Sequence, residues 1–162
     1  MTFPSPPPPQ QASTVPAGPV PLGAPYYSAP FGKAVRRFFT KYATFSGRAS
    51  RAEYWWWALV AIVISIALNS LQLIADGIRT NADGTIAPPT GGTVFFSVLP
   101  YVWALATLIP NLALTVRRLH DAGHSGEWIL IGLVPLAGPI VLLVSLCTGP
   151  RAAGARFDQP TG

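Results

Sequence analysis

The chain has 162 residues, 50% of them hydrophobic and only 10% charged. An ordinary soluble domain carries about a quarter charged residues, so the composition excludes that class and fits a small membrane bundle. The formal charge of +5 borders apolar segments, which argues against nucleic acid and for anionic lipid headgroups, while the sole cysteine, Cys147, excludes an internal disulfide framework and weakens any thiolate metal site.

Residues 1–30 contain ten of the 18 prolines, with Pro6 to Pro9 in succession, and have no hydrophobic periodicity. Such a composition favours extended, solvated polyproline II conformations. Residues 1–32 are therefore expected to form a disordered cytoplasmic tail, either a plain low-complexity leader or a segment that docks in an aromatic-lined groove. Met1 is not followed by a basic stretch and a short apolar core, so the first membrane helix is expected to act as an uncleaved insertion signal.

From residue 33 to 45 the spacing predicts an amphipathic helix. Val35, Phe38, Phe39, Tyr42 and Phe45 fall on one face, and Lys33, Arg36, Arg37 and Lys41 fall on the other. Such a helix suits the headgroup plane, with aromatics at the acyl boundary and cations toward phosphates; its aromatic face also suits packing on the bundle.

Three apolar stretches follow, at 54–75, 94–116 and 128–147. Each is long enough as a helix to match a bilayer core of roughly 30 Å. The first holds ten Leu, Ile or Val residues, each contributing about −0.3 to −0.6 kcal/mol at mid-membrane. Ser50 and Glu53 form a Ser-x-x-Glu capping box at its entry. Trp55, Trp56 and Trp57, like Trp128 at the third stretch, are expected to anchor at interface depth. Ser65, Asn69 and Gln72 recur at helical spacing as a polar stripe that should face another helix.

The loop at 76–93 is polar and turn-rich, and its weak likeness to a calcium loop fails because Arg79 and Thr90 occupy ligand positions. In the second stretch Pro110 deprives the Ala106 carbonyl of its helical donor, so a kink is expected, with Asn111 available to the disturbed backbone. Asn111 should lie too far from Asn69 in depth to pair with it. Pro135, Gly138 and Pro139 leave the third stretch two options, a kinked span or a re-entrant hairpin; its length favours spanning. The expected fold is thus an all-α membrane protein with three transmembrane helices, the third spanning or re-entrant. An interfacial helix and the tail precede a membrane domain at 33–158, and a short tail follows at 159–162.

On three spans, Lys33, Arg36, Arg37, Lys41, Arg48, Arg51, Arg117 and Arg118 share one side, and Arg79, Arg151 and Arg156 take the other. The positive-inside rule then places the N-terminus in the cytoplasm. At that face Arg48, Arg51 and Glu53 should meet Arg117, Arg118, His120 and Asp121, with Glu53 pairing to Arg117 or Arg118 and Asp121 to Arg48 or Arg51. The arginines there are also suited to hold phosphate, or to complement the carbonyls ending a helix.

At these residues the chain resembles a known family. Phe45-Ser-Gly-Arg-Ala-Ser-Arg-Ala-Glu-Tyr-Trp-Trp-Trp57, Val116-Arg-Arg-Leu-His-Asp-Ala-Gly-His-Ser-Gly126 and a last helix punctuated by Pro and Gly are similar to the domain-of-unknown-function 805 family of small bacterial inner-membrane proteins. The resemblance covers roughly residues 35–157 and implies a cytoplasmic-membrane protein without an established reaction. Departures occur at Glu127, where the pattern has an aromatic, and at Ala155 to Asp158 near the end.

His120 and His124 share a face only if the helix continues past Gly123, and no third ligand is near, so no metal and no cofactor is expected. The leading expectation is a non-enzymatic component organising lipid or a membrane-protein partner, including another copy of itself. The alternatives are a small transporter or oligomeric channel built on the polar stripe, and an interfacial enzyme using His120 with Asp121 on anionic headgroups.

Overall fold

The computed structural model describes residues 20–77, 79–81 and 83–158. Among them the chain forms α1 (Phe31–Thr40), α2 (Arg51–Gly77), α3 (Gly91–Asp121), a 3-10 segment (Gly126–Leu133), α4 (Ala137–Cys147) and a second 3-10 segment (Ala152–Phe157). One isolated bridge, Thr80 to Ile86, is the extent of β pairing among the described residues.

Helix α2 begins where its capping box dictates. The Ser50 hydroxyl accepts from the Glu53 amide at 3.1 Å, and the Glu53 carboxylate accepts from the Ser50 amide at 3.0 Å. A second box, Thr90 with Thr93, opens α3 earlier than the apolar pattern implied. Both helices are long and apolar enough to cross a membrane. Their apolar side chains point outward, Ile66 at 61%, Leu73 at 73% and Leu105 at 70% exposure. A water-soluble fold would turn those side chains inward.

The two helices run antiparallel in one register. The Trp57 indole donates to Asn111 Oδ1 at 2.7 Å, and the Trp103 indole donates to Ser65 Oγ at 3.2 Å. Asn111 is thus occupied by Trp57 rather than by the backbone around Pro110. The carbonyl freed by Pro110 is instead satisfied from α1's end, where the Tyr42 hydroxyl donates to Ala106 O at 2.6 Å. Asn69 lies about 18 Å along α2 from Trp57 at 1.5 Å per residue, so it cannot reach Asn111. It donates to the Ser65 carbonyl of its own helix. With Ser65, Gln72 and Thr107 it lines a groove of about 540 Å³ along α3.

Helix α1 ends at Thr40, short of the expected residue 45, where Lys41 leaves helical geometry. Its aromatic face packs on the bundle. Phe38 is buried and stacks on Trp57 with ring centroids 3.4 Å apart. Trp57 is therefore core, not an interface anchor, whereas Trp55, Trp56 and Trp128 keep exposed edges. Arg37 and Lys41, expected to face lipid phosphates, are buried as well.

The tail expectation for residues 1–19, and that for 159–162, lies outside the described residues. Residues 20–30 belong to the folded body: Tyr26 donates its amide to Glu53 at 3.2 Å, and its carbonyl accepts from the Ser50 hydroxyl at 2.6 Å. The boundary expected at 32 thus falls earlier.

The third apolar stretch does not form an unbroken helix. It breaks at Pro135 and Leu136, the latter at φ 65°, into the 3-10 segment and the 11-residue α4. At 1.5 Å per residue α4 is about 16 Å long, half of the roughly 30 Å hydrocarbon core. The halves pack against each other as a hairpin whose tip exposes Leu133 and Leu136. Both feet stand at the C-terminal end of α3: Gly126 lies against Val116 and His120, and on the return Arg118 Nε donates to the Leu146 carbonyl at 2.9 Å while its guanidinium also binds the Thr148 carbonyl.

Gly138 permits the hairpin to close, since a β-carbon there would run into the Ile131 carbonyl. Gly138→Val is expected to cost about 1–3 kcal/mol through overpacking. Thermal unfolding in detergent followed by tryptophan fluorescence checks it; an unchanged midpoint would show that the two halves separate freely.

Candidate functional site

Each of two carboxylates at one end of the bundle organises a separate ionic centre. Glu53, 3% exposed, enters α2 and pairs with Arg37 of α1. The expected Glu53 pairs with Arg117 or Arg118 are not formed as direct contacts. Arg37 and Arg36 are adjacent, so a helix must point them in different directions. Arg37 turns inward, where its guanidinium also donates to the carbonyls of Val20, Pro21, Leu22 and Ala24. That cluster binds the N-terminal segment to the bundle.

The second centre is Asp121, fully buried at the end of α3. It pairs with Arg118 and accepts from the Tyr27 hydroxyl at 2.9 Å, with Arg48 at 3.8 Å. The Asp121 pairing with Arg48 matches one expected option; Arg51 remains exposed and pairs with neither carboxylate. Arg48 also holds Asp158 through two bonds of 2.7 and 2.6 Å. That bond pushes the Arg48 guanidinium further up, and burial followed by the Asp121 hydrogen bond pushes the Tyr27 phenol up to about 12.

His120 does not join its neighbour Asp121. Its Nδ1 lies 3.0 Å from the Gly47 carbonyl, and its ring stacks on Phe157 at 3.9 Å. The helix ends at Asp121 and the chain turns at Gly123, φ 84°, which puts His124 beside Trp128 instead. The two imidazoles thus have different surroundings. His120 and Asp121, with separate partners, are not arranged as an acid–base pair.

Arg117 is 1% exposed. Its Nε donates to the Ala113 carbonyl at 3.2 Å, while one terminal nitrogen has no hydrogen-bond partner among the described residues. Lys41, 5% exposed, lies within the electrostatic reach of Arg37, Glu53 and Arg117, and burial reinforced by the two arginines pulls its ammonium down to about 8.

Tyr26, Tyr27 and Asp158, which the sequence did not assign to this cluster, complete this end of the molecule, together with Arg37 and Lys41, which were expected to face lipid phosphates and are buried here instead. The available signal was stoichiometric: residues 33–53 carry six cations and one carboxylate, so Glu53 had several competing partners. The C-terminal segment also docks here, with Gly154 so close to the His120 carbonyl that a side chain would collide. Arg151 and Arg156 therefore share the end occupied by the other cations, contrary to the three-span expectation. Ten of the 11 Lys and Arg residues gather at this end, and Arg79 alone lies at the other, donating to the Ala87 carbonyl and paired with Asp76.

Two outward-apolar helices, a half-length hairpin and a strongly cationic end define the class, a small helical protein built for a membrane with its charge at one boundary. The chain belongs to the family described as "Protein of unknown function (DUF805)", whose profile matches residues 42–159. It is 38% identical over 121 residues to inner membrane protein YhaI of Escherichia coli strain K12, covering 73% of this chain and 86% of that one. Inner membrane protein YhaH of the same organism is 29% identical over 116 residues, 72% of this chain and 85% of that one. No solved structure matches the chain.

Proposed function

We propose that the chain is a non-enzymatic component of the bacterial cytoplasmic (inner) membrane that organises anionic lipid at the inner leaflet. On this reading α2 and α3 cross the bilayer, and the 126–147 hairpin enters and leaves from the cytoplasmic side. The N-terminal segment and residues 148–158 are then both cytoplasmic. The supporting observation is the gathering of ten of 11 cations at one end, an asymmetry the positive-inside rule reads as cytoplasmic. Inner-leaflet phosphates attract such a face by about 1 kcal/mol per exposed cation.

Epitope tags at either end should resist external protease in spheroplasts, while a tag at residues 83–88 should be cut. The reverse pattern would overturn the orientation. For the lipid role, protein purified in mild detergent should retain phosphatidylglycerol and cardiolipin above their membrane proportion. Retention in proportion to membrane content would remove it.

The groove between α2 and α3 supports a second reading, a small transporter or channel. It places Ser65, Asn69 and Gln72 beside Thr107 and Asn111 within apolar helices, where polar groups mark solute paths or helix contacts. Flux in proteoliposomes that disappears on Asn69→Leu would favour it.

A further inference from the structure

We propose that Lys41 and Arg117 form a socket for the phosphate group of a single anionic lipid, closed by α1, α2 and α3. The socket deepens the lipid reading above and rests on it.

The charge inventory carries the inference. The chain has six acidic side chains, and all lie among the described residues. Glu53 is taken by Arg37 and by the amides of Ser50 and Tyr26. Asp121 is taken by Arg118, Tyr27 and Arg48, and Asp158 by Arg48. Asp76 and Asp83 belong to the opposite end, beside Arg79 and Thr85, and Glu127 is exposed on the hairpin. Three buried cations, Arg37, Lys41 and Arg117, thus share one carboxylate, an excess of two positive charges. No acidic side chain elsewhere in the chain remains to offset them.

Uncompensated buried charge is costly, and an unmade hydrogen bond adds to it. Arg117 has both conditions, with a terminal nitrogen unbonded among the described residues. Lys41 makes no side-chain hydrogen bond there either, lies within electrostatic reach of Arg117 and retains the larger sliver of surface, so a phosphate would enter at Lys41. A phosphate diester supplies a negative charge and several acceptor oxygens, matching a guanidinium fork and an ammonium.

Depth selects a lipid as the source. Lys41 immediately precedes Tyr42, whose hydroxyl reaches Ala106 inside α3's apolar stretch. Phe39, Tyr42 and Phe45 are partly exposed beside it and offer acyl chains an apolar surface. Burial above all lowers the affinity of Lys41 for its proton, and Arg37 from α1 and Arg117 from α3 add to it while Glu53 from α2 acts the other way, a balance consistent with a missing counter-charge.

The test is thermal unfolding of delipidated full-length protein in zwitterionic detergent, titrated with short-chain phosphatidylglycerol, phosphatidylcholine or inorganic phosphate. Wild type should gain a saturable stabilisation from phosphatidylglycerol only. Lys41→Gln should melt higher than wild type without lipid, because a buried unpaired cation is gone, and should bind phosphatidylglycerol at least tenfold more weakly. Raising pH from 7 to 9.5 should weaken wild-type binding and leave the variant unchanged, since Lys41 loses its charge across about 8.

The double variant Lys33→Gln with Arg36→Gln, at peripheral positions of α1, should keep the saturable site. If only that double variant loses binding, the socket falls and diffuse surface attraction stands. If wild type does not distinguish phosphatidylglycerol from phosphatidylcholine, the lipid-organising reading falls as well. Equal saturation by inorganic phosphate would overturn the lipid as occupant.

Discussion

Glu53→Ala is expected to lower stability by about 3–5 kcal/mol through the orphaned buried charge. Three independent losses coincide there. Arg37 loses its ion pair, the Ser50 amide loses its capping acceptor, and the Tyr26 amide loses its contact. The cap alone accounts for about 1 kcal/mol. With the carboxylate gone, Arg37, Lys41 and Arg117 face one another without any negative partner in that centre. Arg37→Met should cost less, because Glu53 then remains beside Lys41 and Arg117, which take over part of its compensation. Glu53→Gln retains an acceptor for the Ser50 amide and removes only the charge, so its place between wild type and Glu53→Ala separates the electrostatic from the capping loss. Thermal unfolding of the three variants checks the order. Because Trp57 stacks on Phe38 about one helical turn from the Arg37–Glu53 pair, its fluorescence should report α1 detaching. Equal midpoints for Glu53→Ala and Arg37→Met would mean that Lys41 and Arg117 do not share this carboxylate.

Asp121→Asn should lower stability by a comparable ~3–5 kcal/mol, since it leaves the fully buried Arg118 without its anion. The consequences should spread differently. Arg118 also binds the carbonyls of Leu146 and Thr148, and Arg48 connects Asp121 to Asp158, so this centre holds the hairpin foot and the C-terminal segment. Limited proteolysis should open residues 148–158 in this variant before the rest of the bundle, whereas Glu53→Ala should first release residues 20–30. Tyr27 supplies a second readout. Its phenol is held up to about 12 by burial, by its hydrogen bond to Asp121 and by that carboxylate's charge. A folded-state value above the usual 10.0 means stability from this group is complete below pH 10 and lost as pH rises toward about 12. In Asp121→Asn the tyrosinate absorbance should appear at lower pH. Proteolysis unchanged at the C-terminal segment would show that Asp158 docks independently of this centre.

The anchor and partner assignments diverged for a common reason. Trp55, Trp56 and Trp57 are equivalent as a run of indoles, but only Trp57 faces Phe38 and Asn111. That distinction depends on how α1 lies across α2. Arg36 and Arg37 are likewise equivalent in composition, and only the rotation of α1 turns Arg37 toward Glu53. Pro110 made the orphaned Ala106 carbonyl foreseeable from its fixed spacing; Tyr42 as its donor was not, because the contact spans 64 positions.

What could be read directly from residue order is local or compositional. Apolar stretches long enough for a bilayer, the Ser50 and Glu53 box, the turn after Asp121 and the family motifs depend on neighbours a few positions apart, where helical geometry and solvent preference set the outcome. The folding of residues 128–147 was otherwise. Length alone allowed a span, and the hairpin arose from packing of α4 against the 3-10 segment over Gly138 and from Arg118 capturing the returning carbonyls. The same return brings Arg151 and Arg156 to the basic end. Long-range pairing chose among partners that were chemically alike, because a carboxylate binds whichever guanidinium the packed helices bring within reach.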